Sequence, residues 1–207
     1  MTLYVNNSGS FIEPKEVFVK DGGVWRAIEE TYVNENGTWR KIFPIAGSQT
    51  FTSGTYSFVV PQGIYTLSMP LLSGGGGGGR SGQHTGDCHS GHAGSAGGTV
   101  TSTSFATTPG ETLTVIVGAG GSGGVYPGFQ QGFGMGTTGG ATYVKRGATT
   151  LYTGSGGVVS SGESFSGSDF TTPGGTNGTG YGTGGTGGRC EGNGGAGVSG
   201  VVQFSWS

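Results

Sequence analysis

The chain has 207 residues, of which 51 are glycine and only 31% are hydrophobic. Ordinary globular domains are roughly 45–50% apolar with about 7% glycine, so a packed side-chain core can fill only part of this protein. Charged residues make up 10% and the net charge is −2, which argues against the basic surface of a nucleic-acid binder and against disorder driven by charge repulsion. Apolar runs end at about five residues, far short of the roughly 20 that span a bilayer. The first residues, MTLYVNNSGS, carry neither a basic start nor an apolar run. No secretory signal is read there, and cytoplasmic synthesis without ordinary export is expected.

Residues 1–46 hold more than half of the charged residues and two of the three tryptophans. They contain a repeat at an offset of 14: VFVKDGGVWRAI over 17–28 and TYVNENGTWRKI over 31–42. Phe18 matches Tyr32, Val19 matches Val33, Gly23 matches Gly37, Trp25 matches Trp39, Arg26 matches Arg40 and Ile28 matches Ile42. Asp21-Gly22 and Asn36-Gly37 are dipeptides that accept the positive φ of tight hairpin turns. The pattern predicts two β-hairpins forming one small sheet. Trp25, Arg26, Trp39 and Arg40 either pack the hairpins together or dock the module onto the next protein of an assembly. They are the candidate assembly residues.

Residues 47–73 form a strand-rich bridge into the glycine tract. Thr55–Val60 and Ile64–Leu72 read as strands around the turn Pro61-Gln62-Gly63. Further strands are expected over Glu111–Val117, Ala141–Lys145, Thr149–Thr153 and Val201–Trp206. In the first of these, Leu113, Val115 and Val117 alternate with Thr112, Thr114 and Ile116, the mark of a half-buried strand. No stretch combines helix caps with a 3.6-residue period, so the class is all-β.

Residues 74–200 hold 44 of the 51 glycines. Gly91, Gly94 and Gly97 recur every third residue, as do Gly118, Gly121 and Gly124; Gly182, Gly185 and Gly188; and Gly194, Gly197 and Gly200. Three residues per turn is the period of the polyproline-II-type helix, which makes no internal hydrogen bonds. Its buried N–H and C=O groups need partners, and glycine lets neighbouring backbones come close enough to supply them. The expected scaffold is therefore a polyglycine II helix bundle. Collagen is a poor fit, because the triplets break every few residues and the chain has only seven prolines. Ice binding would call for regular Thr or Ala rows, and the intervening segments are irregular and aromatic.

Within LTVIVGAGGSG, Gly118, Gly120 and Gly123 spell a literal dinucleotide fingerprint. That chemistry needs a following α-helix and an acid about 20 residues on; here GVYPGFQQGFGMG follows and the next acid is Glu163. The tract QHTGDCHSGH gathers His84, Asp87, Cys88, His89 and His92. With Cys190 as a distant fourth ligand it could hold zinc or iron. A Cys88–Cys190 disulfide and two free thiols in a polar loop are the competing readings. Neither a metal nor a cofactor is counted among the expectations, and adjacent Asp87, Cys88 and His89 do not make the convergent geometry of a triad. The segments between glycine runs are better binding candidates. They offer Arg80, His84, His89 and His92 over 80–93, then Tyr126, Phe129, Phe133 and Met135 over 125–138. Phe165, Phe170 and Tyr181 follow over 158–181. Aromatic residues in a Gly/Ser/Asn background resemble paratope composition, and one apical recognition surface is expected from these loops.

Four blocks then carry a family resemblance: TFTSGTYSFVVPQGIYTLSMPLLSGGGGGG, TPGETLTVIVGAGGSGG, GGATYVKRGATTLYTGSGG and the closing GVVQFSWS. Over about residues 49–207 the chain resembles the glycine-rich domain of phage tail-fibre and tail-tip proteins, and more distantly the polyglycine II adhesins of phage tips. The resemblance implies an attachment module over 1–46 and a receptor-binding domain over 47–207. It implies a non-catalytic adhesin at the tip of a virion, facing a bacterial outer-surface receptor, protein or glycan. Other phage tail proteins would be its structural partners, with no nucleic acid among them. Tail fibres are often trimers, so a homotrimer is among the expectations. A structural tail-tip cap without a receptor is the rival reading.

Overall fold

The computed structural model describes residues 5–7, 10–12, 18–28, 31–35, 37–43, 46–84, 88–159, 163–165, 178 and 180–207. In chain order the strands are β1 (Val5–Asn7), β2 (Ser10–Ile12), β3 (Phe18–Asp21), β4 (Val24–Ala27), β5 (Thr31–Glu35), β6 (Thr38–Phe43), β7 (Gly47–Phe51), β8 (Gly54–Val59) and β9 (Thr66–Ser73). They continue with β10 (Gln83–His84), β11 (Cys88–Gly91), β12 (Thr99–Ala106), β13 (Thr112–Val117), β14 (Thr142–Arg146), β15 (Thr149–Gly154), β16 (Glu163–Phe165) and β17 (Val201–Trp206). Among the described residues there is no α-helix, so the chain is all-β as expected.

The N-terminal part begins with a hairpin, β1–β2, that the repeat did not announce. The two repeat units form hairpins β3–β4 and β5–β6, but these are separate two-stranded sheets and not one. The connecting Ile28-Glu29-Glu30 lacks the Gly, Asn or Asp that a tight hairpin turn between β4 and β5 would need. In the first hairpin the turn is Gly22-Gly23, at φ 56° and 88°, while Asp21 stays paired with Val24. The turn therefore sits one residue later than expected, because two successive glycines supply both positive φ values. Gly37, at φ 85°, turns the second hairpin, and Asn34 Oδ1 accepts its N–H at 2.9 Å.

From β7 onward two four-stranded antiparallel sheets face each other, ordered β12-β9-β17-β7 and β15-β14-β13-β8. The 47–73 bridge thus contributes strands to both sheets. Leu113, Val115 and Val117 of β13 are buried, as the alternation required, against Leu67 and Met69 of β9 and Phe204 of β17 in one core. Rings knit the sandwich: Phe58 lies 5.1 Å from Phe204 and 5.7 Å from Trp206, and Phe51 lies 5.8 Å from Phe204, centroid to centroid. Arg146 closes the outer end, donating from Nε and Nη2 to the two Glu111 oxygens at 2.8 and 2.9 Å and from Nη2 to the Ala106 carbonyl at 2.7 Å.

At the opposite end of the sandwich the strands run into glycine helices. Residues 74–82 leave β9 and become the axis of a seven-helix bundle. Their nine N–H groups all donate to neighbours, in rotation: Gly74, Gly77 and Arg80 to residues 98, 95 and 92; Gly75, Gly78 and Ser81 to 140, 137 and 134; Gly76, Gly79 and Gly82 to 198, 195 and 192. These three neighbours run antiparallel to the axis. Its carbonyls accept from three parallel neighbours: Gly121 and Gly124 on one, Gly157 on another, Gly185 and Gly188 on the third. The period of three is the polyglycine II repeat. The six outer helices also bond to one another in a closed ring, in the order 92–98, 182–188, 192–200, 118–124, 134–140, 154–158. Antiparallel and parallel helices alternate around it.

Close approach explains the glycines. None of Gly74 to Gly79 has positive φ, so conformational freedom is not what they supply. A Cβ on Gly78 would lie 1.8 Å from the Ser122 carbonyl oxygen, and one on Gly76 would lie 2.0 Å from that of Thr183. The fingerprint-like Gly118, Gly120 and Gly123 belong to this lattice: β13 leads into a glycine helix where a nucleotide site needs an α-helix. A methyl at Gly78 would push fixed backbone apart and cost the Gly78 N–H its 2.9 Å bond to Thr137. Gly78→Ala is expected to destabilise by about 3 kcal/mol or more. Gly132→Ala, with nothing within 4 Å of the added Cβ, is expected to change stability by about 0.5 kcal/mol or less. Urea unfolding of both variants checks the contrast.

Candidate functional site

The axial helix carries the chain from the sandwich to a far end about 25 Å away, nine residues at roughly 3.1 Å each. Among the described residues, three reversals lie there: the β10–β11 pair and the segments 125–133 and 189–191, each joining an outgoing glycine helix to a returning one. In the first, β10 and β11 pair, and β16 adds to β11 with Phe165 opposite His89. In the second, Gly128 and Gln130 take positive φ of 121° and 57°. The third is a turn in which Gly192 N–H donates to the Arg189 carbonyl and Cys190 stands at φ 43°.

The last side chains of the axis organise this end. Ser81 Oγ, buried, accepts from Gly134 N–H at 2.6 Å and donates to the Gly82 carbonyl at 3.0 Å. The Arg80 guanidinium carbon lies 4.5 Å from the centre of the Phe133 ring, a cation–π distance. Arg80 N–H donates to the His92 carbonyl, while His92 Nε2 is buried without a hydrogen-bond partner. Tyr126 is held by its backbone N–H, which donates to Asn193 Oδ1 at 2.7 Å. Its phenol oxygen is buried and unpaired. Burial, with the Glu191 carboxylate nearby, raises its pKa above the ordinary 10.0.

The structure thus brings Arg80, His89, His92, Tyr126, Phe129 and Phe133 to the far end. The backbones of His84 and Phe165 join them in the small sheet. Phe129 is 56% exposed, beside Val125 at 70% and Met135 at 57%, which face outward from two adjacent glycine helices. Tyr181 does not belong to this surface. Its neighbour Gly182 bonds to Ser199 and Gly97 and packs on Ser73 and Gly74, at the sandwich end. The 182–188 helix runs parallel to the axis, so its start is at the base and not at the tip. Phe170 lies outside the described residues. Trp25 and Trp39 are exposed, and Arg26 pairs with Asp21 at 3.4 Å; Arg40 stands opposite Val33.

Cys190 is buried and disulfide-bonded, and the chain holds one other cysteine, Cys88. Of the three alternatives left open by the sequence, the disulfide is the one formed. Among the described residues, no three His, Cys, Asp or Glu side chains gather as a metal would require. Sequence reasoning missed the 189–191 turn, with Asn193 and Glu191, as part of this end. The signal was available: it is the break between two triplet runs, as 125–133 is.

A β-sandwich carried into a seven-helix glycine lattice defines a glycine-rich scaffold protein with reversals displayed at one end. The glycine-rich domain family matches residues 50–207, and the chain belongs to that family. No curated protein matches the chain.

Two expectations follow from this end of the molecule. Reducing the disulfide at Cys190 releases a cross-link that stabilises by about 2–5 kcal/mol, so melting with and without reductant should differ by several degrees. For Tyr126, the folded phenol keeps its proton to higher pH than the unfolded one. Above about pH 10 the folded state binds more protons, so stability falls as pH rises. Tyr126→Phe should be close to neutral at pH 7, because the oxygen makes no bond, and should lessen the alkaline loss. Urea unfolding of both proteins at neutral and alkaline pH measures the difference.

Proposed function

We propose that this protein is a phage tail-fibre tip adhesin, which binds the bacterial outer surface through the reversals at the far end of its glycine bundle. The observation that carries this reading is the division of labour within the chain. The lattice is closed by backbone hydrogen bonds, so Val125, Phe129 and Met135 stay exposed on a rigid mount instead of filling a core. Aromatic and aliphatic anchors on a preorganised support are what productive interfaces use. The resemblance to glycine-rich tail-fibre domains supports the same role. In this reading residues 1–46 face the virion, other tail proteins are the structural partners, and the receptor is a surface protein or glycan. Binding itself is the task and no reaction is catalysed.

The test is saturable binding of the purified, labelled protein to intact cells of phage-sensitive strains, with competition of phage adsorption. Phe129→Ala combined with Val125→Ser removes two exposed side chains and is expected to weaken cell binding at least tenfold, with an unchanged circular dichroism spectrum and melting temperature. Unchanged binding by the folded variant, or no binding by the parent protein to any sensitive strain, moves the assignment to a structural tail-tip cap.

A further inference from the structure

We propose that the short edge strand β7 is a mechanical lock, which lets the molecule carry tension from its far end to residues 1–46. This inference rests on the adhesin reading above, in which one end is tethered and the other binds. Six of the eight sandwich strands continue into glycine helices, and β7 and β8 do not. A pull on the far end therefore reaches the sandwich through several covalent connections. It leaves through one, the peptide between Ala46 and Gly47.

The register fixes the direction in which that connection is loaded. β9 runs toward the bundle, so its antiparallel neighbour β17 runs away from it, and β7, antiparallel to β17, runs toward it again. Gly47 thus lies at the outer end, opposite Trp206, and Phe51 lies at the bundle end, opposite Val202. β17 is held at its bundle end, where Val201 follows Gly200 of the lattice. Tension draws β7 by its outer end and β17 by its bundle end. The five paired positions then slide past one another as a set, and the ladder hydrogen bonds, which lie across the strands, are stretched together.

Side chains resist the same sliding. Phe51 is 3% exposed, its ring 5.8 Å from Phe204 and 6.0 Å from Phe58, so withdrawing β7 drags a ring through the core. At the other end the Trp206 ring lies so close over Gly47 that a Cβ there would stand 2.6 Å from it. The connection beyond β7 is weaker by its geometry. Gly54 of β8 stands opposite Val117 of β13, both at the bundle end. A load that reached Gly54 would separate β8 from β13 one pair at a time, and β7 keeps it from arriving there.

Pulling single molecules of the purified full chain tests the lock without a receptor. One handle is placed at the N-terminus, so that residues 1–46 lie in the path in every case. The second is either a peptide tag inserted after Gln131, beside the open position Gly132, or a tag following Ser207. The first arrangement loads β7 and β17 in opposite directions. The second draws both from the outer end, where Gly47 faces Trp206, and peels them pair by pair. At equal loading rate, the force that opens the sandwich is expected to be about threefold higher or more in the first arrangement, since forced opening follows the unfolding barrier. Phe51→Leu should lower the force in the first arrangement and leave the onset of peeling in the second unchanged, because the peel meets residue 51 last. Should that variant not fold, the two arrangements of the parent chain decide alone. Equal forces in the two arrangements overturn the proposal, as does a folded Phe51→Leu variant that shifts both forces alike or neither. Such a result leaves adhesion standing, and a chain that binds no cells still shows the difference in force, so the two readings fail separately.

Discussion

The structure from residue 74 onward rests on one requirement: nine consecutive N–H groups at the axis of the bundle each need a carbonyl, and from Gly74 to Gly79 no side chain can stand between them. A backbone with three residues per turn points its groups outward in three directions, so a single axial helix can bond to six neighbours only if all seven come to within hydrogen-bond distance. Glycine is the residue that permits it. The ring positions follow from the same constraint. Helices parallel to the axis spend two residues of each triplet against neighbours and show one outward, such as Ala119 and Ser122, or Thr183 and Thr186. The antiparallel ones show up to two, such as Met135 and the adjacent threonines Thr137 and Thr138.

The sandwich supplies what the lattice cannot supply for itself. Each of β9, β13 and β15 launches a glycine helix, and each of β12, β14 and β17 receives one. The apolar core around Phe58, Leu113 and Phe204 thereby fixes the starting positions of helices that have no side chains to set their register. Thr142 shows the joint at atomic scale, its buried hydroxyl accepting the Gly118 N–H at 3.0 Å where strand gives way to helix. Small groups and backbone do the work of alignment at the boundary, and large side chains are pushed to the two ends.

Much of this was legible in the residues. The triplets at Gly118, Gly182 and Gly194 announce glycine helices because period three has few other causes, and the alternation of Leu113, Val115 and Val117 announces a half-buried strand. The edge strand β12 was not legible: TVTSTSFA is mostly exposed, and only Val100 and Phe105 pack on the core. Direction was harder still. The placement of Tyr181 depends on whether the 182–188 helix travels toward or away from the sandwich, which no local pattern encodes. Parity would have told: a run followed by a short reversal must end at the tip, so the residue before that run lies at the base. The separation of the two repeat hairpins turns on an unremarkable Ile-Glu-Glu connector, a feature that matters for what it lacks.

A lattice held by peptide groups also changes how the protein answers temperature. Unfolding a conventional domain exposes apolar surface and raises the heat capacity, whereas exposing polar backbone lowers it. Here a large part of the chain from residue 74 to 200 would expose mainly peptide groups on melting. The heat-capacity increment per residue is therefore small, and the curve of stability against temperature is broad and shallow. A mount of this construction therefore keeps the reversals at its far end in register over a wide span of temperature.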